Sequence, residues 1–499
     1  MQITTFLKNK GFLILSIMIM ILAAPAFSKD YIIQDIALTP GKNISEININ
    51  WYASSDTPSL VQLAPRSAMK NQDFPESISL SFETTRFTAA PGFFSHRTII
   101  RSLASSSEYV YRMGDGLGNW TEIYQINTES PEEFSFLAIG DPQIGTGGTA
   151  SDKASWLNTL DKAFGHSPAV NFILSVGDQV HTNNDESQFA ALLSHPQLKN
   201  VPFAPALGNH DDGAYNTAWH FYMPNMSTEY GLTDPGMGDY YFNYGETLFM
   251  VLNSNNKDVS SHEIFINNAV AQSPDSTWKI VVLHHDIYGA GSSQATDSSI
   301  RGTLRNGLYP VFDTHKIDLV LTGHEHSYAR SHVLKGNIPQ TNTPTDANGA
   351  YLSPEGTIYL TLNSSTGSKY YPLASATYDY VLLSSGLEVP FFSKVIIKNK
   401  RLSFSTYRID TMELFDSFSI IKEISQVQWT LGDVNHDKKI NIIDALLVAR
   451  YYVGLSSEDL YPDLADVDCD GKVNIVDALN IARFYVGLID AFCENSDEL

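Results

Sequence analysis

Five short apolar runs in the middle of this chain each end in residues able to hold a metal ion. Phe134–Ile139 leads into Gly140, Asp141, Pro142 and Gln143, and Phe172–Val176 into Gly177, Asp178, Gln179, Val180 and His181. Phe203–Leu207 is followed by Gly208, Asn209, His210 and Asp211, and Ile280–Leu283 by His284 and His285. Ile317–Leu321 runs through Thr322 to Gly323, His324, Glu325 and His326. Carboxylates, an amide and imidazoles are the donors of a binuclear transition-metal site, in which one carboxylate bridges the two ions. Such a pair polarises a phosphoryl oxygen and acidifies a shared water, so that hydroxide attacks near neutral pH. A serine or cysteine nucleophile is then unnecessary, and no local motif offers one. One Gly-Asp after a strand carries no information; five such ends in this order point to a single site. His96, His166, His195, His220, His262, His315 and His332 lie outside the pattern and read as surface or packing residues.

Bringing five segments to one place requires strands that share a direction. Apolar runs alternating with amphipathic or irregular stretches from Glu133 onward predict an α/β layer fold. Ligands in such folds collect at the carboxyl ends of strands, and the glycines allow the sharp turns that let side chains converge. Strand-like segments from Thr357 to Lys422 are expected to complete the sheets, and Gly336–Gly349 reads as a loop. Ahead of this region lie short β-type runs, Ile44–Trp51, Ser77–Phe82, Arg97–Arg101, Tyr109–Met113 and Glu122–Asn127. Their spacing and turn residues predict a β-sandwich without a catalytic cluster.

The C-terminal section repeats itself. Near-identical stretches begin at Ile440 and at Val473, 33 residues apart, so one loop-plus-helix unit is copied once. Asp433, Asn435, Asp437, Lys439, Asn441 and Asp444 occupy positions 1, 3, 5, 7, 9 and 12 of a calcium loop. Asp466, Asp468, Asp470, Lys472, Asn474 and Asp477 do the same in the second copy, each lysine offering only its carbonyl. Gly471 supplies the position-6 turn; Lys438 stands there in the first loop, at a cost of roughly 1 kcal/mol. His436 also lies in that loop, at a position that points away from an ion.

Composition bounds the rest. A chain of 499 residues holds several domains, and 43% hydrophobic with 17% charged residues excludes wholesale disorder. A formal charge of −23 argues against a nucleic-acid backbone as partner. Lys8 and Lys10, an apolar run from Gly11 to Ala24, and the small residues Ala26 and Ser28 read as a secretory signal cleaved before Lys29. No later segment is long and apolar enough to span a membrane. The two cysteines, Cys469 and Cys493, can pair or remain as thiols.

Taken together, the ordered metal motifs resemble the calcineurin-like metallophosphoesterases, in particular the purple acid phosphatase branch. Tyr109–Asp115 and Ile317–Arg330 are similar to stretches of that family. The resemblance covers about Tyr31 to Lys422 and implies a fibronectin type III-like domain at 29–130 and a four-layer α/β phosphoesterase domain at 131–424. It implies that Asp141, Asp178 and His326 hold one ion, that Asp178 bridges, and that Asn209, His284 and His324 hold the second. The ions would be iron, zinc or manganese. His210 would protonate the leaving oxygen, oriented by Asp211 or Asp185. The branch's coloured members carry a metal-bound tyrosine where this chain has His181, so His181 or Gln143 must fill that place. Plant-type members also carry a phosphate-gripping histidine pair; Gly289–Gln294 has none, and His285 is either a substitute contact or a support. The C-terminal repeat, at 430–499, resembles a dockerin, which implies two bound calcium ions and a cohesin partner on a scaffolding protein. The resulting expectation is a secreted, cellulosome-associated phosphomonoesterase that releases phosphate from an ester by a bimetal-bound hydroxide. Two rivals are a phosphodiesterase or nucleotidase on the same site, and a scaffold-bound protein whose site is degenerate.

Overall fold

The computed structural model describes residues 31–54, 59–90, 92–128, 130–292, 297–422, 431–435, 437, 439–455 and 460–493. The expected signal segment, Lys438 and His436 therefore lie outside the described residues. Among the described residues no helix is long and apolar enough to cross a membrane.

Eight strands form the N-terminal unit: β1 (Ile33–Pro40), β2 (Ile47–Ala53), β3 (Leu60–Pro65), β4 (Leu80–Glu83), β5 (Thr85–Thr88), β6 (Phe94–Ile100), β7 (Ser107–Gly114) and β8 (Tyr124–Thr128). They build two four-stranded antiparallel sheets, β1-β2-β6-β5 and β4-β3-β7-β8, around Leu38, Ile49, Trp51, Val61, Ile100 and Tyr111. Strand β2 is buried along its whole length because both faces have work. Ile47, Ile49 and Trp51 enter the sandwich core. The alternate residues face the next domain: Asn48 Nδ2 donates to Tyr222 O (2.7 Å), Asn50 Nδ2 to Trp219 O (3.0 Å) and Tyr52 OH to Glu186 (3.2 Å). A period of two thus joins the sandwich to the segment that follows His210.

The second unit contains β9 (Glu133–Ile139), α1 (Thr149–His166), β10 (Phe172–Ser175), α2 (Glu186–Leu192), β11 (Phe203–Pro205), α3 (Asn216–His220), β12 (Tyr240–Tyr244), β13 (Thr247–Leu252), α4 (Val259–Ala271), β14 (Trp278–Leu283), α5 (Asn306–His315), β15 (Leu319–Thr322) and β16 (Tyr328–Ser331). Two short strands, β17 (Leu334–Lys335) and β18 (Ile338–Pro339), pair with each other, the second inside the expected loop region. β19 (Tyr351–Leu352), β20 (Ile358–Thr361), β21 (Val381–Ser385), β22 (Phe391–Lys398), β23 (Arg401–Arg408) and β24 (Leu414–Ile421) follow. Two seven-stranded sheets result, β11-β10-β9-β22-β23-β24-β19 and β12-β13-β14-β15-β20-β16-β21. Their facing sides share one apolar core. Phe136 and Phe172 of the first sheet each meet Phe249 of the second edge-on at 5.4 Å, a geometry aromatic rings favour. Trp156, Leu160 and Ala163 of α1 pack into the same core. On the far side, Phe265 and Ile266 of α4 and Leu308 and Phe312 of α5 cover Leu248, Val281 and Val320.

Strands β9, β10 and β11 are mutually parallel, as are β13, β14, β15 and β20. Five strands therefore release their donor-bearing turns at carboxyl ends. The C-terminal unit holds two helices, α6 (Ile442–Tyr452) and α7 (Ile475–Tyr485), around Val434, Ala445, Val448, Val467, Ala478 and Ile481.

Candidate metal centre

Two compact donor groups share Asp178: Asp141, Asp178 and His326 form one, and Asp178, His284 and His324 the other. In the second group the candidate atoms converge closely. His284 Nε2 lies 3.1 Å from Asn209 Oδ1, 3.1 Å from His324 Nδ1 and 3.4 Å from Asp178 Oδ1. Metal–donor bonds of about 2.1 Å place neighbouring donors roughly 3.0–3.4 Å apart, so these separations suit a transition-metal ion. In the first group His326 Nε2 lies 3.7 Å from Asp141 Oδ2. Asp141 Oδ1 is buried without a hydrogen-bond partner, as is Gln143 Oε1. Buried acceptors left without donors are costly and are the condition a cation relieves. The residues present fit a binuclear centre.

Neighbours fix which nitrogen each ring offers. His284 Nδ1–H donates to Val176 O at 3.1 Å, and His326 Nδ1–H to Lys369 O at 2.8 Å, leaving both Nε2 atoms toward the carboxylates. Burial, and then the charge on His284, holds His324 down to about 3; burial holds His326 down to about 4. Both are neutral imidazoles with a lone pair to give. Burial opposes charge on His284, but Asp178 and then Asp141 outweigh it and raise this ring to about 9.

The backbone is strained where the donors sit. Gln143, Asp178, His324 and His326 all have positive φ, at 36°, 47°, 70° and 45°, a conformation costing about 1–3 kcal/mol at each non-glycine residue. The adjoining glycines leave no room for a side chain. A Cβ on Gly177 would lie 2.5 Å from the His284 ring, and one on Gly323 2.5 Å from Asp141 Oδ1.

His210 joins neither donor group. Its Nδ1–H donates to the carbonyl of His181 at 2.9 Å and its ring packs on the His181 ring at 4.7 Å, so Nε2 is the free edge. The expectation that Asp211 or Asp185 orients His210 is corrected. Asp211 is fully buried and accepts from the backbone N–H groups of Gln179 (2.8 Å), Val180 (3.2 Å) and Gly208 (2.9 Å). It braces the two donor-bearing turns against each other and makes no bond to the His210 ring. Asp185 caps α2 by accepting from Ser187 N. Of the two candidates for the tyrosine's place, His181 meets Thr146 Oγ1 through Nδ1 at 3.1 Å, which leaves Nε2 to offer, and Gln143 keeps its partnerless oxygen, so both stay candidates.

Sequence reasoning missed a supporting layer. Ser364 Oγ donates to Asp141 O and Thr366 Oγ1 to Pro142 O, holding the first turn from the end of β20. Ser254 and Lys257, after β13, hold His285, whose ring lies 4.9 Å from that of His324. These are two ordinary loop serines, a threonine and a lysine, with no pattern to mark them.

The two C-terminal loops are built alike. Asp433 and Asp466 accept from the backbone N–H of Asp437 and Asp470, both at 3.1 Å. Asn441 with Asp444, and Asn474 with Asp477, form capping boxes that start α6 and α7. Asp466, Asp468 and Asp477 approach closely enough to hold one ion. Gly454 and Gly487 follow the helices with φ of 77° and 72°. Cys469 and Cys493 are joined in a disulfide.

Comparison with known proteins matches each unit. Residues 33–128 match the purple acid phosphatase N-terminal domain, 134–328 the calcineurin-like phosphoesterase family and 431–484 the dockerin type I domain. "Probable inactive purple acid phosphatase 24" of Arabidopsis thaliana is 22% identical over 433 residues, covering 78% of this chain and 69% of its own. "Purple acid phosphatase 7" of the same plant is 25% identical over 234 residues, covering 41% and 67%. The solved structure of purple acid phosphatase PPD1 from yellow lupin (Lupinus luteus) seeds superposes with a TM-score of 0.63 at 18% identity, covering 79% of this chain and 75% of that one.

Proposed function

We propose that this chain, which matches the calcineurin-like phosphoesterase family, the purple acid phosphatase N-terminal domain and the dockerin type I domain, is a secreted phosphomonoesterase docked to a cohesin-bearing scaffold. The observation that carries the catalytic reading is the convergence of Asp178, Asn209 and His324 on His284 Nε2 at 3.1–3.4 Å, beside the Asp141 and Gln143 oxygens that no hydrogen bond satisfies. Asp141, Asp178, His326 and either Gln143 or His181 would hold one ion; Asp178, Asn209, His284 and His324 would hold the other. When bound, the two ions supply a hydroxide nucleophile and charge stabilisation at the phosphoryl group. The chain's own residues do the rest. The free Nε2 of His210 delivers a proton to the departing oxygen, its ring held by the His181 carbonyl. Asp211 keeps the Asp178 and Asn209 turns in register. The N-terminal sandwich, which we read as fibronectin-type, buttresses α3 behind that turn.

A relative whose name calls it inactive supports the rival reading of a scaffold-bound protein with a degenerate site. The complete donor set of this chain speaks against it. Rates on a phosphomonoester and a phosphodiester with the same leaving group test the assignment. A monoester preference is expected; a diester preference moves the chain to the phosphodiesterase or nucleotidase reading, and no turnover of either supports the degenerate one.

For docking, α6 and α7 expose Ile442, Leu446, Ile475 and Leu479 beside the two loops. Clustered carboxylates need calcium to approach one another, so cohesin binding should require it. The expected signal segment and the dockerin both support a location outside the cell.

A further inference from the structure

We propose, resting on the phosphoesterase reading above, that His285 is a substrate-contacting residue. Ser254 and Lys257 hold its ring so that Nε2–H donates to a non-bridging oxygen of the phosphate group. Ser254 sets the tautomer. Its Oγ accepts from the backbone N–H of His285 at 3.0 Å, so its own hydroxyl proton is free to go to His285 Nδ1, 2.9 Å away. The Lys257 ammonium stands 3.4 Å from the same Nδ1 and is tied down by donating to Ser254 O. A hydroxyl proton and a cation at Nδ1 leave no place for a ring proton there. The imidazole therefore carries its hydrogen on Nε2.

That Nε2 is the informative atom. It has no hydrogen-bond partner among the described residues and yet is not one of the buried polar atoms left without a partner, so it reaches the surface although the residue as a whole is only 8% exposed. Its ring lies 4.9 Å from His324 and 5.3 Å from His284. A fixed donor therefore opens onto the space beside the second ion's ligands. It does not ligate: His285 joins neither donor group, and its Nδ1 faces away. A preorganised N–H beside a cation is what a phosphoryl oxygen requires as negative charge gathers on it. Ser254 and Lys257 act through His285 and are positioning residues.

The test uses the full-length, metal-loaded protein and inorganic phosphate as probe. Phosphate affinity is measured by calorimetry, alongside metal content and steady-state kinetics, for wild type, His285→Leu, His285→Gln, Ser254→Ala, Ser254→Thr and Lys257→Met. Expected results are unchanged metal content throughout and phosphate binding at least tenfold weaker in His285→Leu. KM should rise about as much, with a smaller fall in kcat. Ser254→Ala and Lys257→Met should weaken binding severalfold. His285→Gln and Ser254→Thr, which keep the amide donor and the hydroxyl, should recover much of the loss. Phosphate binding unchanged in His285→Leu overturns the proposal, as does a loss of metal that accounts for the weakened binding, or the absence of phosphate binding in wild type. Binding that depends on His285 in a wild type without turnover sustains it while removing the phosphoesterase reading.

Discussion

Gly208→Ala should disable the site through one methyl group. Gly208 lies against Asp178, the proposed bridge: an added Cβ would sit 2.1 Å from Asp178 N and 2.1 Å from Asp178 Oδ1, where ordinary contact begins at 3.4 Å. A movement of about 1.3 Å must be found, and the neighbours that could yield are backbone and a metal-facing carboxylate. Asp178 already sits at φ 47°, and Gly208 N is tied to Asp211 Oδ2 at 2.9 Å, so neither turn can slide freely. Overpacking of this kind costs about 1–3 kcal/mol, which in a domain of this size lowers Tm by roughly 2–10 °C without preventing folding. Displacing a reacting-site group by about 1 Å costs roughly 10²-fold in rate. The assay is kcat/KM on a chromogenic phosphomonoester, with metal content and a thermal melt on the same sample. The expected variant is folded, short of at least one transition-metal ion, and at least a hundredfold slower. A folded variant with both ions and more than a tenth of wild-type activity would refute the packing argument.

Asp178→Asn and His210→Ala should both stop hydrolysis but differ in metal content. The first should lose at least one ion; the second should keep both and slow by roughly 10²–10⁴-fold, and equal metal loss in the two would contradict a bridging Asp178 and a non-ligating His210. Iron-loaded protein should lack a strong visible band, since His181 stands in the tyrosine's place. Tyr288 and Tyr328 point their hydroxyls at Asn337 and Asp416, so a band in the absorption spectrum would implicate Tyr371, whose ring packs 5.4 Å from His326. Reducing the Cys469–Cys493 disulfide, which spans 24 residues, removes about 3 kcal/mol of chain constraint. Because Cys469 lies between Asp468 and Asp470, calcium should bind the second loop about tenfold more weakly, and a titration unchanged by reductant would show the bridge to be irrelevant. A calcium-selective chelator should abolish cohesin binding while leaving ester hydrolysis intact; loss of both together would deny that the modules are separate.

Much of this was legible because it is local. Each donor turn pairs an apolar run with a glycine and a ligand within a few residues, and the runs found their strands within two or three residues. The 33-residue repeat likewise carried its loops and helices in plain view. What escaped depends on contacts distant in the chain. Asp211 sits beside His210 in sequence, yet its carboxylate turns to three amides across the adjoining turns. Strand β2 needed its second face explained by a domain that begins some eighty residues later. Ser254, Lys257, Ser364 and Thr366 serve the site from strands that deliver no ligand, and positive φ at Gln143, Asp178, His324 and His326 is imposed by the assembled centre rather than by residue type. The cysteine spacing left pairing open until the fold brought the two together. Lys438, expected to weaken the first calcium loop, lies outside the described residues, and its effect stands as an expectation.

Hydrolysis should need both donor groups filled. The most direct measurement takes the full-length chain stripped of metal and titrates it with a transition-metal ion in excess calcium, following phosphomonoester turnover against ions bound. Turnover should be absent at the start, rise with loading and saturate at two transition-metal ions per chain. Two ions bound without turnover of any phosphate ester, or turnover in the stripped protein, would contradict the account.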